Sequence, residues 1–427
     1  MARILTPRDC HALMNELVKQ ATGQQAVQVV DTSTFVSAGE TVLATGVENT
    51  MNALSLVLGR TFMAVRPYDA KLRLINTIGS GAYTDRLRKI SFYSRFAQAS
   101  GDWNTQLFTN LQGGYTNGQN ENSSGVAQST KSQWEQNPGY PLEFNFGGSS
   151  VWEDSTTIYK YQLKKAFRSE EEFAAFAAGI MTEKGNDIES QKEAFARMTF
   201  LNFIAGTYDM NTASGSSRVV NLTAAYNARF GTSYTSAQLR STYLRSFLEF
   251  FVATFKTYSD RMTHRSAYYH WSPAKNDAAG NPLTLLRHTP KDRQKAALYA
   301  PLFREAEAMV LPEIFNPQYL NIDNFEAVDY WQAFDHDGGD NPSINVTPAI
   351  PDVSNPAAQT TGSNVSLDYV VGILFDADAC MIDYQLDDAE ATPLEARKRY
   401  YNIWWSFAKN AINDFTENSV LFIMADS

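Results

Sequence analysis

SEEEFAAFAAGIMTEKGNDIESQKEAFARMTFLNFIAG, residues 169–206, is the stretch whose reading decides the fold. Ser169 followed by Glu170, Glu171 and Glu172 forms a capping box: the hydroxyl accepts a backbone N–H three residues on, and Glu172 reaches back. Three carboxylates in a first helical turn also suit the positive end of the helix dipole. Apolar residues follow at Phe173, Phe176, Ala177, Ile180 and Met181, thin out from Thr182 to Lys192, and return at Phe195, Met198, Leu201 and Ile204. Spacings of three and four predict one helix, roughly 55 Å long at its usual rise. Its middle, with Gly179, Gly185, Asn186 and Asp187, is too polar for burial all round and admits a kink. Two greasy ends and a wet waist describe a strut shared by separate bodies.

Outside this stretch the chain of 427 residues has room for two or three domains. It is rich in aromatics, with 26 Phe, 21 Tyr and 7 Trp, and carries a net charge of −10. A broad nucleic-acid-binding surface is therefore excluded, since an acidic protein repels phosphate wherever its bases are not clustered. The basic runs are short: Lys164-Lys165 and Arg397-Lys398-Arg399. Cys10 and Cys380 make no disulfide framework and fit a reducing compartment. The first residues, Met1 to Pro7, lack the apolar core of a signal peptide. No run approaches the eighteen or so apolar residues of a membrane span, so no membrane partner is expected.

Before the strut, Thr6 and Pro7 open a short predicted helix with Leu13, Met14, Leu17 and Val18 on one side. Val27 to Val30 reads as extended, and Gly46 to Gly59 as a second short helix. These opening residues hold too little apolar surface for a core and read as an arm. Leu72 to Ile75, Arg88 to Tyr93 and Thr156 to Lys164 read as strands. Between them Thr116 to Gln136 is almost all Asn, Gln, Gly and Ser, too polar to fold alone. The expectation is a long projecting hairpin with a polar tip. Trp103, Phe108, Trp134, Tyr140 and Phe144 lie near that tip and are the candidate contacts to a partner that buries them. A self-packed loop is the blander reading.

After the strut, Tyr208 to Ser217 reads as a loop and Ser236 to Phe255 as one helix. Pro290 to Leu311 also reads as helix, with Ala297, Leu298, Leu302, Ala306 and Val310 inward; Asp335 to Gly362 reads as loop. Tyr369 to Phe375 is apolar on both faces and reads as an interior strand. Pro393 to Ile412 reads as helix, with the Trp404-Trp405 pair in the core, and Val420 to Met424 as a last buried strand.

The sequence holds no recognisable catalytic or cofactor-binding motif. His11, His264, His270, His288 and His336 have no metal-site spacing, and Gly79-Ser80-Gly81 lacks the third glycine of a dinucleotide loop. No serine sits in a nucleophile elbow, and neither cysteine has a neighbouring base. The one ligand-like cluster, with Asp335, Asp337 and Asp340, lacks the spacing and distal Glu of a calcium loop and reads as a solvated turn. Tyr268-Tyr269-His270-Trp271 offers stacking surface, which at this aromatic density reads as core or interface. The expectation is a protein that is no enzyme and needs no cofactor.

The order of parts resembles the major capsid proteins of tailed bacteriophages, the α+β Hong Kong 97 fold. The resemblance rests on the weak arm, the long projection, the strut of residues 169–206, a mixed body, and a close running from Tyr400 to Phe422. It implies an N-terminal arm (1–67), an extended E-loop (68–167) and a spine helix (169–206). It further implies a peripheral domain (168–265 with 366–427) and an axial domain (266–365). It implies a head protein that assembles with itself into pentamers and hexamers of an icosahedral shell around double-stranded DNA. The partners implied are scaffolding, portal and decoration proteins, the site of assembly the bacterial host cytoplasm, and the final location the virion capsid. Many relatives begin with a long charged helical segment that is later cleaved. Here the arm begins almost at once, which implies a separate scaffold or none.

The physics fits a shell subunit. Ordering roughly 60 residues of arm and loop costs on the order of 60–120 kcal/mol in backbone entropy. Only large shared surfaces offset that, as in obligate assemblies. Two other readings stay open: an encapsulin-type compartment that encloses enzymes, and a monomeric carbohydrate-binding or carbohydrate-active protein.

Overall fold

The strut is one α-helix, and two β-sheets are built along it. The computed structural model describes residues 14–16, 18, 19, 34, 37, 38, 74–78, 86–94, 139–147, 150–161, 170–214, 218–276, 282–309, 324–333, 341–352, 358–393 and 395–426. The segments Val27–Val30, Gly46–Gly59 and Thr116–Gln136 fall outside them, as does the Asp335, Asp337 and Asp340 cluster. In chain order come β1 (Asn76–Ile78), β2 (Arg86–Phe92), β3 (Pro141–Gly147) and β4 (Ser150–Tyr159), followed by α1 (Glu170–Ser214). Next are β5 (Val219–Asn221), α2 (Leu222–Phe230), α3 (Ser236–Arg240), α4 (Leu244–Met262), β6 (Lys275–Asn276) and β7 (Pro282–Leu283). A 3-10 turn at Lys291–Arg293 leads into β8 (Gln294–Tyr299), α5 (Ala300–Met309) and β9 (Asn324–Val328). Four short strands follow: β10 (Ile344–Val346), β11 (Ala349–Pro351), β12 (Gln359–Thr361) and β13 (Val365–Leu367). The described part closes on β14 (Val370–Asp376), β15 (Cys380–Ala391), β16 (Tyr400–Asn413) and β17 (Ser419–Ile423).

A mixed five-stranded sheet has the order β5-β17-β14-β8-β9. β14 lies antiparallel to both β17 and β8, while β17 with β5 and β8 with β9 run parallel. Every residue of β8, β14 and β17 is buried, as expected for strands covered on both faces. Helix α4 covers one face: Phe251 and Phe255 lie 5.9 and 5.5 Å, ring to ring, from Phe422 of β17. The end of α1 brings Phe200 and Phe203 to Phe375 of β14, at 5.6 and 5.8 Å. A second, four-stranded sheet has the order β1-β15-β16-β4, with β15 and β16 forming a long antiparallel hairpin. Asp154 of β4 meets Lys184 of α1 at 3.0 Å, so the helix lies across this sheet before reaching the other.

The α+β class and the long helix are as read from the sequence, with differences in detail. Helix α1 does not stop at Gly206: Tyr208 to Ser214, read as loop, continue it, because Thr207 and Met210 extend the buried stripe begun at Phe203. Its waist is only partly wet, since Glu189 is buried beside the exposed Asp187. The helix read from Pro290 is instead a turn, a strand and the shorter helix α5. Ala296, Ala297 and Leu298 favour a helix locally, but a continuous apolar run also fits a strand buried on both faces, and the sheet decides. The helix read from Pro393 is the strand β16. Tyr401, Ile403, Trp405 and Phe407 point inward at period two, and Trp404 is 40 % exposed while Trp405 is buried.

Other boundaries move as well. The single helix from Ser236 breaks at Ser241–Tyr243, where the Gln238 carbonyl accepts both the Ser241 and Tyr243 N–H groups and Tyr243 stacks on Tyr234 at 4.0 Å. Part of the loop from Asp335 to Gly362 forms strands: β10 pairs with β13, and β11 with β12. The domain division at 265/266 and 365/366 does not follow the sheets. Strand β8, from inside 266–365, pairs with β14 from the segment beyond it.

Candidate assembly surface

Strand β2 pairs with β3 in antiparallel register, Arg86 opposite Gly147 and Phe92 opposite Pro141. Strand β4, read as an arm of the same hairpin, instead joins β16 in the four-stranded sheet. The β2–β3 ladder is pressed onto the body along one face. Ser91, Tyr93, Leu142 and Phe144 are buried there, and Phe144 tilts against Trp271 at 6.2 Å. The Tyr93 hydroxyl donates to the Pro273 carbonyl at 3.1 Å, and burial pushes its phenol up to about 12. Arg287 donates to the Ser91 hydroxyl at 2.7 Å, and Ser94 bridges to Thr284. Lys89 ion-pairs with Asp414 and Glu417 of the β16–β17 turn. Burial alone would lower the Lys89 ammonium, but the two carboxylates outweigh it and hold it above its ordinary value.

The other face of this ladder points outward. Ile90 and Phe92 are 52 % and 63 % exposed, beside the Arg88–Glu143 ion pair at 2.5 Å. The pattern is inverted relative to a solvent-facing strand: Lys89 and Ser91 go inward, and the larger apolar side chains go out. A second apolar patch lies on β4, whose one sheet neighbour among the described residues is β16. Val151, Trp152, Tyr159 and Tyr161 are exposed there, and Tyr159 contacts Tyr161 and Tyr400 at 5.8 and 6.2 Å. Long edge strands with apolar side chains are templates for pairing with another chain.

Of the five contact candidates read from the sequence, Phe144 is buried by its own chain. Tyr140 is half-buried against the core, its carbonyl accepting the Tyr93 N–H at 3.0 Å. Trp103, Phe108 and Trp134 lie outside the described residues. The sequence reading missed Ile90, Phe92, Val151 and Trp152. The alternation in β2 carried a signal for the first two, an apolar set sharing a face with Arg88.

Chemistry is sparse in the described part. Among the described residues no group of three His, Cys, Asp or Glu side chains is placed to hold a metal, and no helix is long and apolar enough to cross a membrane. His270 is buried with Nε2 2.8 Å from the Leu285 carbonyl oxygen. Burial raises the Cys380 thiol far above its ordinary value, so it stays protonated and unreactive.

Residues 153–423 match the family described as Phi29-like phage major capsid protein, and the match takes in β4, α1 and nearly all of both sheets. The chain belongs to the Phi29-like phage major capsid protein family. A comparison with curated protein sequences found no match. Among solved structures the chain is similar to the capsid of Staphylococcus phage Andhra. That pair shares 11 % identity over 84 % of this chain and 88 % of that one, with a TM-score of 0.47. A chain from the bacteriophage P68 structure of head fiber and inner core protein gp22 shares 10 % identity over 83 % of each chain, with a TM-score of 0.49. The capsid of Cyanophage P-SCSP1u shares 10 % over 85 % of this chain and 90 % of that one, with a TM-score of 0.41. The family match, and not these superpositions, carries the assignment.

Proposed function

We propose that this capsid protein builds an icosahedral head from pentamers and hexamers of itself and encloses double-stranded DNA. The observation that carries the reading is the family match over residues 153–423. Heterologous contacts that close into rings give such a container. The outward face of β2 and β3, with Ile90 and Phe92, and the exposed side chains of β4 supply apolar surface for neighbouring subunits. Residues 1–67 act as an arm and, of the span 68–167, the segment between β2 and β3 as an extended loop, and both lap over neighbours.

The four-stranded sheet with the first part of α1 serves as the peripheral domain, and the five-stranded sheet with α2 to α4 as the axial domain. The role is structural, without catalysis. Scaffolding, portal and decoration proteins are its partners, and assembly takes place in the bacterial host cytoplasm. The net charge of −10 keeps most of the lining from gripping the genome.

Negative-stain microscopy of the expressed protein tests the reading: closed shells of uniform size are expected, with nuclease-sensitive DNA in particles from infected cells. Deleting Thr116–Gln136 leaves soluble protein that forms no stable closed particles. Wild-type particle yield from that deletion overturns the overlapping-loop arrangement.

A further inference from the structure

Strands β15 and β16 meet at a tight turn that is the most basic place in an acidic chain. Arg397, Lys398 and Arg399 follow one another there, all exposed. The end of β4 lies against the turn, with the Lys160 N–H donating to the Arg399 carbonyl at 2.9 Å, which adds a fourth cation. Among the described residues none of the four forms an ion pair. The nearest carboxylate in sequence, Glu395, is spent on the turn itself, accepting the Lys398 N–H. The Arg399 N–H donates to the Glu395 carbonyl at 2.8 Å, and Glu395 and Tyr400 close a β-bridge. Tyr159 and Tyr161 are exposed alongside, 39 % and 67 %, with Tyr400 against Tyr159.

Arg399 adopts φ 56°, the one non-glycine residue with positive φ among those described. A branched or long side chain is disfavoured there, and glycine or asparagine is the usual occupant. A charged side chain held in that conformation, at the tip of a hairpin, points to a role for the side chain.

We propose that this hairpin tip, formed by Arg397, Lys398, Arg399 and Lys160 with Tyr159 and Tyr161, is a contact site for the phosphate backbone of nucleic acid. The proposal rests on the shell reading, which places nucleic acid within reach of every subunit. Among the described residues these four have no carboxylate partner, and four clustered cations suit a continuous polyanion. The contact is sequence-independent and weak per copy. Repetition over a shell multiplies it, while the acidic remainder of the surface keeps the polyanion from adhering elsewhere.

The test is anisotropy of a short fluorescent duplex DNA against the purified full-length chain, between about 50 and 200 mM salt. Four cations predict a slope of log affinity on log salt of about −3 to −4. The R397A/K398A/R399A variant loses about three units of that slope and binds at least ~10-fold more weakly at the low-salt end. It still forms shells on microscope grids. R399G, which removes the disfavoured backbone, melts no lower than the unaltered chain yet loses about one unit of slope. Unchanged DNA affinity in the triple variant overturns the proposal. So does loss of shells with an unchanged slope, which makes the tip a contact with a neighbouring subunit's carboxylates. Absence of shells from the unaltered chain is read on the grids alone and overturns the shell reading, and with it the place assigned to this contact.

Discussion

The Lys409 ammonium lies 4.6 Å from the ring centroid of Trp152, and also faces Phe195 and Phe407 at 5.4 Å each. The side chain is 1 % exposed and sits between β16, β4 and helix α1, where Nζ has no hydrogen-bond acceptor. Burial first, then Lys192, lower its pKa to about 8; Glu189 opposes them. The rings supply cation–π attraction but do not replace the lost hydration.

The pH dependence follows. Lys409 titrates at about 8 in the folded chain and near 10.5 unfolded. Between those values the unfolded chain holds the extra proton, so stability rises with pH across that window and is flat below it. A shift from 10.5 to about 8 corresponds to about 3 kcal/mol. Lys409→Met is expected to stabilise the protein at neutral pH by about 1–3 kcal/mol and to flatten the alkaline rise. Urea unfolding at neutral and alkaline pH checks both, and a destabilised variant at neutral pH refutes this account.

Lys89 latches the β2–β3 ladder to the body through Asp414, which is 3 % exposed and also accepts the Thr416 N–H and hydroxyl. Lys89→Met leaves that carboxylate buried without its counter-charge, a loss of about 3–5 kcal/mol. The Lys89→Met/Asp414→Asn double variant is expected to recover part of it. A full double-mutant cycle by chemical unfolding measures the coupling, and strict additivity would show that the pair does not latch anything.

On the acid side His270 is the group to watch. Burial first, then Arg287 and Arg218, lower its pKa to about 4, against the backbone hydrogen bond to Leu285. The unfolded chain therefore takes up this proton first, and stability present above pH 6.5 is lost as pH falls toward 4, by about 3 kcal/mol. His270→Gln should lose part of the acid limb when melting midpoints are followed from neutral pH downward. An identical slope in both proteins assigns the acid sensitivity to other groups.

Gly372 lies in β14, where an added Cβ would stand 2.4 Å from the Ala297 carbonyl oxygen of β8 and 2.4 Å from Leu298 Cδ2. Backbone cannot step aside in a central strand, so Gly372→Ala is expected to cost about 1–3 kcal/mol. Thermal melting checks this; a midpoint equal to the parent's would mean that the two strands are further apart than described.

The parts of the fold that the sequence displayed were those with one physical reading. The capping box and stripe around Phe195 to Ile204 admitted only a helix, and Val370 to Phe375 bounded by turns read as an interior strand. β8 and β16 were misread for one reason. Apolar residues at Ala297, Leu298 and Leu302, or at Tyr400, Ile403, Trp404 and Phe407, satisfy the helical spacing as well as alternation does. What settles such segments is partner strands far away in the chain: β14 for one, β4 for the other. The contact surface was less legible, because whether Phe144 turns inward and Phe92 outward depends on where the ladder meets Trp271 and Asp414.

The order of the five-stranded sheet has a consequence for the making of the subunit. Strand β17, near the far end of the sequence, lies between β5 and β14, so the two earlier strands have no direct pairing to hold them. A ribosome delivers β5, and later the paired β8 and β14, before the strand that joins the two parts. The sheet therefore closes only once β17 has been made, and a chain broken off before Ser419 offers the growing head a wall with an open seam.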